Sequence, residues 1–365
     1  SNRCLHNDLS LVAKGRGCGS PLSKPCFDFD RCNGSNKIYV YDPTCSLSDS
    51  RVLLAADEAQ NERDFHQLDW VFRDAAQEAG VLAPTYDSAC LFMHVTRGGR
   101  SMCAVDSPLW SDGSNHVMVD FSDDGREDRP AVADSYAMEA ASNLHSCVYR
   151  TGYDISLPLG PRESFVDMAN IPPLDRNHFI TFKGTLYLSG HGTEERASLS
   201  HLDDEVSGVV ISTHCFEIHG EHLLEENADY CRHLKERFND HDYKALMNTT
   251  FGIVPAGRSP GTYRLAEVMG AGAIPVIVAR DVVLPFREQF DWPSFSFSFS
   301  PDEVGSMVKT LRQVPQTKLE EMQRRSLAVF EEMFGDDITD SGGFDLIAKR
   351  LISILLQRID HRAGR

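Results

Sequence analysis

The chain has 365 residues, 41% of them hydrophobic and 25% charged, which is more than one hydrophobic core usually organises and excludes disordered and fibrous classes. A formal net charge of −18 excludes an unspecific nucleic-acid binder, because phosphate affinity needs a basic surface. Any anionic ligand must be held by a local cluster of cations.

The chain opens in a loop-rich stretch with Cys4, Cys18, Cys26, Cys32 and Cys45, half of its ten cysteines. No CxxC pair is present and histidines are not interleaved at ligand spacing, so disulfides are expected here in place of zinc. The sequons at Asn33 and Asn248 fit the same secretory setting. Ser1-Asn2-Arg3-Cys4 lacks an initiator methionine and a signal-like apolar run, and a trimmed chain is expected.

After this entry, residues 37–41 predict a strand and 62–80 a helix with Phe65, Leu68, Phe72, Ala75 and Ala79 on one face. Strands are predicted at 89–95, 116–121 and 153–157, with a helix at 134–144. The proline-bearing stretch 160–174 breaks the pattern and predicts a linker. Strands follow at 179–182, 209–212, 251–254, 274–278 and 295–299, with helices at 242–247, 261–269 and 302–311. This alternation predicts two α/β domains with parallel sheets, the GT-B architecture of two Rossmann-like domains facing across a cleft. The expected domains are 1–165 on the acceptor side and 166–340 on the nucleotide side. A final helix at 341–365, carrying Ile347, Leu351, Ile354 and Leu355, is expected to return to the first domain because its apolar face is too long to leave in water.

The segment that carries chemistry runs from Phe251 through Gly257, Arg258, Ser259, Pro260, Gly261, Thr262 and Arg264 to Glu267, and reads strand, glycine-rich loop, helix. Glycines after a strand let backbone amides approach an anion, and a helix start presents free N–H groups to it. Ser259 is a candidate cap, and Pro260 near the helix start costs little. Arg264 and Glu267 are three residues apart, so one helical face offers an arginine for phosphate and a carboxylate for ribose hydroxyls. Lys183, after a predicted strand, is a further phosphate candidate. His214 and Tyr243 are candidate nucleobase contacts from their places at strand and helix ends.

The run 251–267, with Gly270-Ala271-Gly272-Ala273-Ile274-Pro275-Val276, Leu284-Pro285-Phe286 and Asp291-Trp292, resembles the most characteristic segment of exostosin glycosyltransferases. Cys26-Phe27-Asp28-Phe29, Asn115-His116, 153–158, Ile171-Pro172-Pro173-Leu174, Phe182-Lys183-Gly184, 192–196 and Thr213-His214-Cys215 fall in that family's order, so the resemblance covers nearly the whole chain. Arg258 and Gly261 fit the animal-type exostosins, the heparan sulfate polymerases, better than the plant wall enzymes.

This resemblance implies an inverting transferase that takes a UDP-sugar donor to a glycan or polysaccharide acceptor. UDP-glucuronic acid is the donor implied by the heparan polymerases, whereas other relatives use UDP-galactose, UDP-xylose or UDP-arabinose. It also implies functional arginines at Arg196 and Arg150 and a disulfide between Cys215 and Cys231. A Golgi or endoplasmic reticulum lumen location with a type II anchor, and assembly with itself or another glycosyltransferase, are further expectations. The second module of the animal polymerases is not in this chain, so alone it is not expected to polymerise heparan.

Asp28-Phe29-Asp30 spells a DxD string but sits between Cys26 and Cys32, and is read as structural. GT-B enzymes generally stabilise the leaving diphosphate with basic side chains and helix dipoles, so no metal and no cofactor beyond the donor are expected. The candidate bases are Asp120, Asp123, Asp124 and Asp154, at the carboxyl ends of first-domain strands. Asp120 departs from the animal-type pattern, which has an uncharged residue there. The competing class is a catalytically inactive exostosin-like subunit that binds nucleotide or glycan.

Overall fold

The computed structural model of the chain describes residues 18, 26–32, 35–42, 68–96, 104–122, 135–217, 222–335 and 343–362. It divides into two units, Ser1–Pro158 with Thr339–Arg365, and Leu159–Ile338. In chain order the elements begin with β1 (Ile38–Val40), α1 (Asp69–Glu78), β2 (Leu91–Thr96), β3 (His116–Asp120), β4 (Met138–Ala141) and β5 (Ile155–Ser156). Next come β6 (His178–Tyr187), α2 (Thr193–Ala197), β7 (Val209–Phe216), α3 (His222–Glu226), α4 (Ala228–Asp240), α5 (Tyr243–Met247) and β8 (Thr249–Pro255). The chain continues through α6 (Arg264–Gly270), β9 (Ile274–Val278), β10 (Phe297–Phe299), α7 (Val304–Leu311), α8 (Gln316–Phe334) and α9 (Phe344–Arg362).

The first unit is a parallel sheet in the order β1-β2-β3-β4-β5. Its strands are buried on both faces, which is why they read as apolar runs without alternation. His116 interrupts such a run, yet it is fully buried between Tyr41, 3.0 Å from its Nε2, and the Phe92 ring. Burial pushes its pKa down to about 4, so the ring is neutral and belongs to the core. Residues 138–141, expected as part of a helix, are strand β4. Met138, Ala140 and Ala141 favour helices in isolation, but both edges of this segment are hydrogen-bonded to β3 and β5, and that pairing outweighs local propensity.

The cysteine-rich entry is stapled by Cys18–Cys26 and Cys32–Cys90. Asn115 ties it to the sheet, its amide oxygen accepting from the Asp28 N–H and its nitrogen donating to the carbonyls of Asp28 and Cys90. Asp28 caps its own turn by accepting from the Asp30 N–H. The last helix, α9, packs on α1 in this same unit, with Ile347, Leu351 and Leu355 buried and Lys349 paired to Glu78 at 2.8 Å. Among the described residues no helix is long and apolar enough to cross a membrane.

The second unit is also a parallel five-stranded sheet, in the order β10-β9-β8-β6-β7. Its core joins Ile180 and Phe182 of β6 to Phe251 and Ile253 of β8, with Val304 and Met307 of α7 and Leu319 and Met322 of α8. Gly252 sits where α6 crosses β8: a Cβ there would lie 2.6 Å from the Val268 methyl groups, so only glycine lets this helix lie so close to the sheet.

Candidate functional site

Chain order along the second sheet reverses at β6. From β6 the chain moves to β7 on one side, then crosses back to β8 on the other and continues outward to β9 and β10. Open α/β sheets bind ligands at the carboxyl ends of the strands where the order reverses in this way. The described strands of the first sheet follow chain order without such a reversal. The glycine-rich loop follows β8 and Lys183 lies in β6, so topology brings both predicted segments to the switch point.

The loop after β8 is held by the segment before α2. Gly192 has φ +77° and lies so close that a Cβ would be 2.5 Å from the Gly257 carbonyl oxygen. The His191 Nδ1 lies 2.9 Å from that same oxygen. Arg196 donates from Nε to the Ala256 carbonyl at 2.9 Å and from Nη1 to the Thr185 carbonyl at 2.8 Å, joining the ends of β8 and β6. Its guanidinium rests 4.5 Å from the Tyr187 ring centroid.

Arg264 is buried at the first position of α6. It donates from Nε to the Ile253 carbonyl at 2.8 Å and from Nη1 to the Lys183 carbonyl at 3.3 Å and the Tyr243 hydroxyl at 3.2 Å. Tyr243 in turn donates to Oε2 of Glu267, whose Oε1 accepts from the Arg162 N–H at 3.3 Å. The helix itself begins at Arg264, later than the expected 261, and Ser259 is not its cap: the Ser259 hydroxyl is buried without a partner. The cap position is Tyr263, which makes no side-chain cap bond, and Thr262 Oγ1 just before it accepts from the Arg264 N–H at 3.4 Å. Gly257 donates to the Ser259 carbonyl at 2.9 Å within the loop, Gly261 is half-buried, and Arg258 is exposed.

Lys183 donates to the His241 carbonyl and lies 4.1 Å from the Phe238 ring centroid. Desolvation lowers its pKa. His214, at the end of β7, meets Phe238 edge-on at 4.6 Å and lies 3.4 Å from Thr185 Oγ1; burial lowers its pKa as well. Phe238 belongs to α4, which the sequence reading missed because that helix buries none of its residues fully. Its anchor is the Cys215–Cys231 disulfide.

Burial pushes the Arg196 guanidinium down to about 10, which leaves it charged at neutral pH. Lys183, Arg196 and Arg264 make no direct ion pair with a described carboxylate: their hydrogen bonds go to backbone carbonyls and to the Tyr243 hydroxyl, with Asp242, Glu195 and Glu267 as the nearby acidic groups. A dianionic ligand would supply them with direct counter-charge.

Among the first-unit candidates, Asp154 is held by its neighbours. Its carboxylate accepts from the Glu139 N–H, the Arg150 N–H and the Arg150 guanidinium, the last as an ion pair at 2.7 Å with both side chains under a tenth exposed. Arg150 is thus the direct partner of Asp154, a candidate base of this unit. Asp120 is fully buried at the end of β3, with Oδ1 accepting from the Ser122 N–H and Thr96 Oγ1. Asp123, Asp124 and Asn33 lie outside the described residues. Asn248 is half-buried ahead of β8, and the hydroxyl of Thr250 in its sequon is buried against the Pro173 carbonyl. Among the described residues no group of three or more His, Cys, Asp or Glu could hold a metal ion.

Each unit is thus an α/β unit built on a five-stranded parallel sheet, the class expected from the alternation of the sequence, and the second carries basic side chains at its switch point. The exostosin GT47 domain matches residues 34–314, and the chain belongs to this family of glycosyltransferases. It is 25% identical over 358 residues to Exostosin-1 of Drosophila melanogaster, covering 92% of this chain and 45% of that protein. It is 28% identical over 340 residues to Exostosin-1a of Danio rerio, covering 85% and 43%. The chain therefore spans less than half the length of these relatives. A solved alpha,alpha-trehalose-phosphate synthase (UDP-forming) from Burkholderia vietnamiensis aligns over 86% of this chain and 81% of its own, at 10% identity and a TM-score of 0.40.

Proposed function

We propose that the chain is an inverting glycosyltransferase that moves a sugar from a UDP-sugar, UDP-glucuronic acid in the animal-type reading, to a glycan or polysaccharide acceptor. The observation that carries this is the gathering of three cations, Lys183, Arg196 and Arg264, beside a Tyr243–Glu267 pair at the carboxyl ends of β6 and β8. In this reading the diphosphate lies against the 257–263 loop, and Arg264 and Arg196 place fixed positive charge where the leaving group gathers negative charge. Glu267 accepts from the ribose. His214 and Phe238 flank the base. The disulfides and sequons fit a Golgi or endoplasmic reticulum lumen, and assembly with itself or with another glycosyltransferase belongs to the same reading.

Glu267→Ala is expected to weaken UDP by ~1–3 kcal/mol, the worth of a charged hydrogen bond left unmade, as measured by titration calorimetry on the folded variant. Unchanged affinity would remove Glu267 from the site. Transfer across a panel of UDP-sugars tests the function itself: binding of UDP with no turnover on any donor would favour a non-catalytic subunit. Since the basic groups supply the charge stabilisation, EDTA is expected to leave transfer intact, and activity that is lost on chelation and restored by one divalent ion would sink the metal-free mechanism.

A further inference from the structure

Arg264 and Glu267 lie three residues apart on α6, a spacing at which an arginine and a glutamate ordinarily pair directly. Here they do not, because the Tyr243 hydroxyl stands between them, accepting from Arg264 Nη1 and donating to Glu267 Oε2. The phenol is fixed from both sides. Its helix, α5, is capped by Asp242, which accepts from the Ala245 N–H at 2.7 Å, and is rooted in the core by Leu246 and Met247. Its ring meets Phe165 edge-on at 5.5 Å. Desolvation raises the Tyr243 pKa, so the hydroxyl stays protonated and always has a hydrogen to give. Arg264, tied to the Ile253 and Lys183 carbonyls, cannot follow a moving carboxylate.

We propose that Tyr243 is a positioning residue that holds the Glu267 carboxylate off Arg264 and aims it at the two hydroxyls of a ribose, so that the site selects ribonucleoside over deoxyribonucleoside diphosphates. The proposal rests on the nucleotide-sugar reading of this site. A carboxylate offers about four acceptor positions. Two are taken, by the Tyr243 hydroxyl and the Arg162 N–H, and the remaining two match a vicinal diol in number. Without the phenol, the nearest strong donor for Glu267 is the Arg264 guanidinium. The carboxylate would turn onto it as a direct ion pair, and the ribose would lose its acceptor without any change in the fold.

The test compares UDP with 2′-deoxy-UDP and 3′-deoxy-UDP by calorimetry on the wild-type chain, Tyr243→Phe and Glu267→Gln, with thermal melts confirming folding. The wild-type chain should prefer UDP by about tenfold, one hydrogen bond to a charged group. In Tyr243→Phe that preference should collapse because UDP weakens while the deoxy analogues bind as before. Equal weakening of all three ligands, or a preserved preference, would overturn the positioning role, since a merely structural residue moves every ligand alike. Glu267→Gln keeps the phenol and changes only the acceptor. Loss of the preference there is expected, and its retention would overturn the assignment of the diol to Glu267. A wild-type chain that binds none of the three would sink the nucleotide reading itself, which sets that failure apart from a failure of Tyr243.

Discussion

Arg264→Ala is expected to lower both the stability of the chain and its transfer activity, each by more than a surface arginine would. The guanidinium joins the Ile253 carbonyl of β8 to the Lys183 carbonyl of β6, and its loss leaves those oxygens and the Tyr243 hydroxyl without their donor. At ~1–3 kcal/mol for a buried polar group left unsatisfied, a total of about 3 kcal/mol is expected in chemical denaturation. Transfer should fall by about 100-fold in the folded fraction, the effect of removing one fixed positive group from a leaving-group site. Arg264→Lys separates the two effects: it restores the charge but cannot span two carbonyls and a hydroxyl. Recovery of activity without recovery of stability would assign Arg264 to charge stabilisation. Full activity in the alanine variant would exclude it from the site.

Asp154→Ala should be the most destabilising single change in the first unit, by about 3–5 kcal/mol, because it strands a buried guanidinium. Arg150 and Asp154 are 8% and 3% exposed, and the same carboxylate also closes the loop through the Arg150 and Glu139 N–H groups. Its absence would unpair β4 from its neighbours before it touched any chemistry. Thermal melts and urea unfolding check this. A variant as stable as the parent but devoid of transfer would identify Asp154 as a catalytic group.

The strands of both sheets other than β4 were legible, most of them because parallel strands buried on two faces read as unbroken apolar runs, as at Ile274–Val278 and His116–Asp120. That Arg264 and Glu267 share one face of α6 was legible from spacing alone. What spacing could not show is that Tyr243 separates them, or that the partners of Arg264 include the Lys183 carbonyl of β6, 81 residues earlier in the chain. Those contacts exist only because β6 and β8 are neighbours across the reversal in strand order. β4 was misread because its residues favour helix and only its two flanking strands say otherwise. Helix α8 did leave a signal that went unused: Leu319, Met322, Ser326, Val329, Phe330 and Met333 recur at three- and four-residue spacing, and all are buried.

Helix α4 is joined to the second unit by a covalent bond as well as by packing. None of its residues is fully buried, and its attachments to the second unit include the Cys215–Cys231 bond, packing on β7, the Phe238 edge on Lys183 and His214, and the Arg237 ion pairs to Asp203 and Glu205. Closing a loop of sixteen residues removes unfolded-chain entropy worth about 3 kcal/mol, a term that vanishes when the bond is reduced. The wall beside Lys183 is therefore maintained by the redox poise of its surroundings. A thiol reductant carried through purification is expected to loosen this wall, and with it the proposed nucleotide site, without touching either.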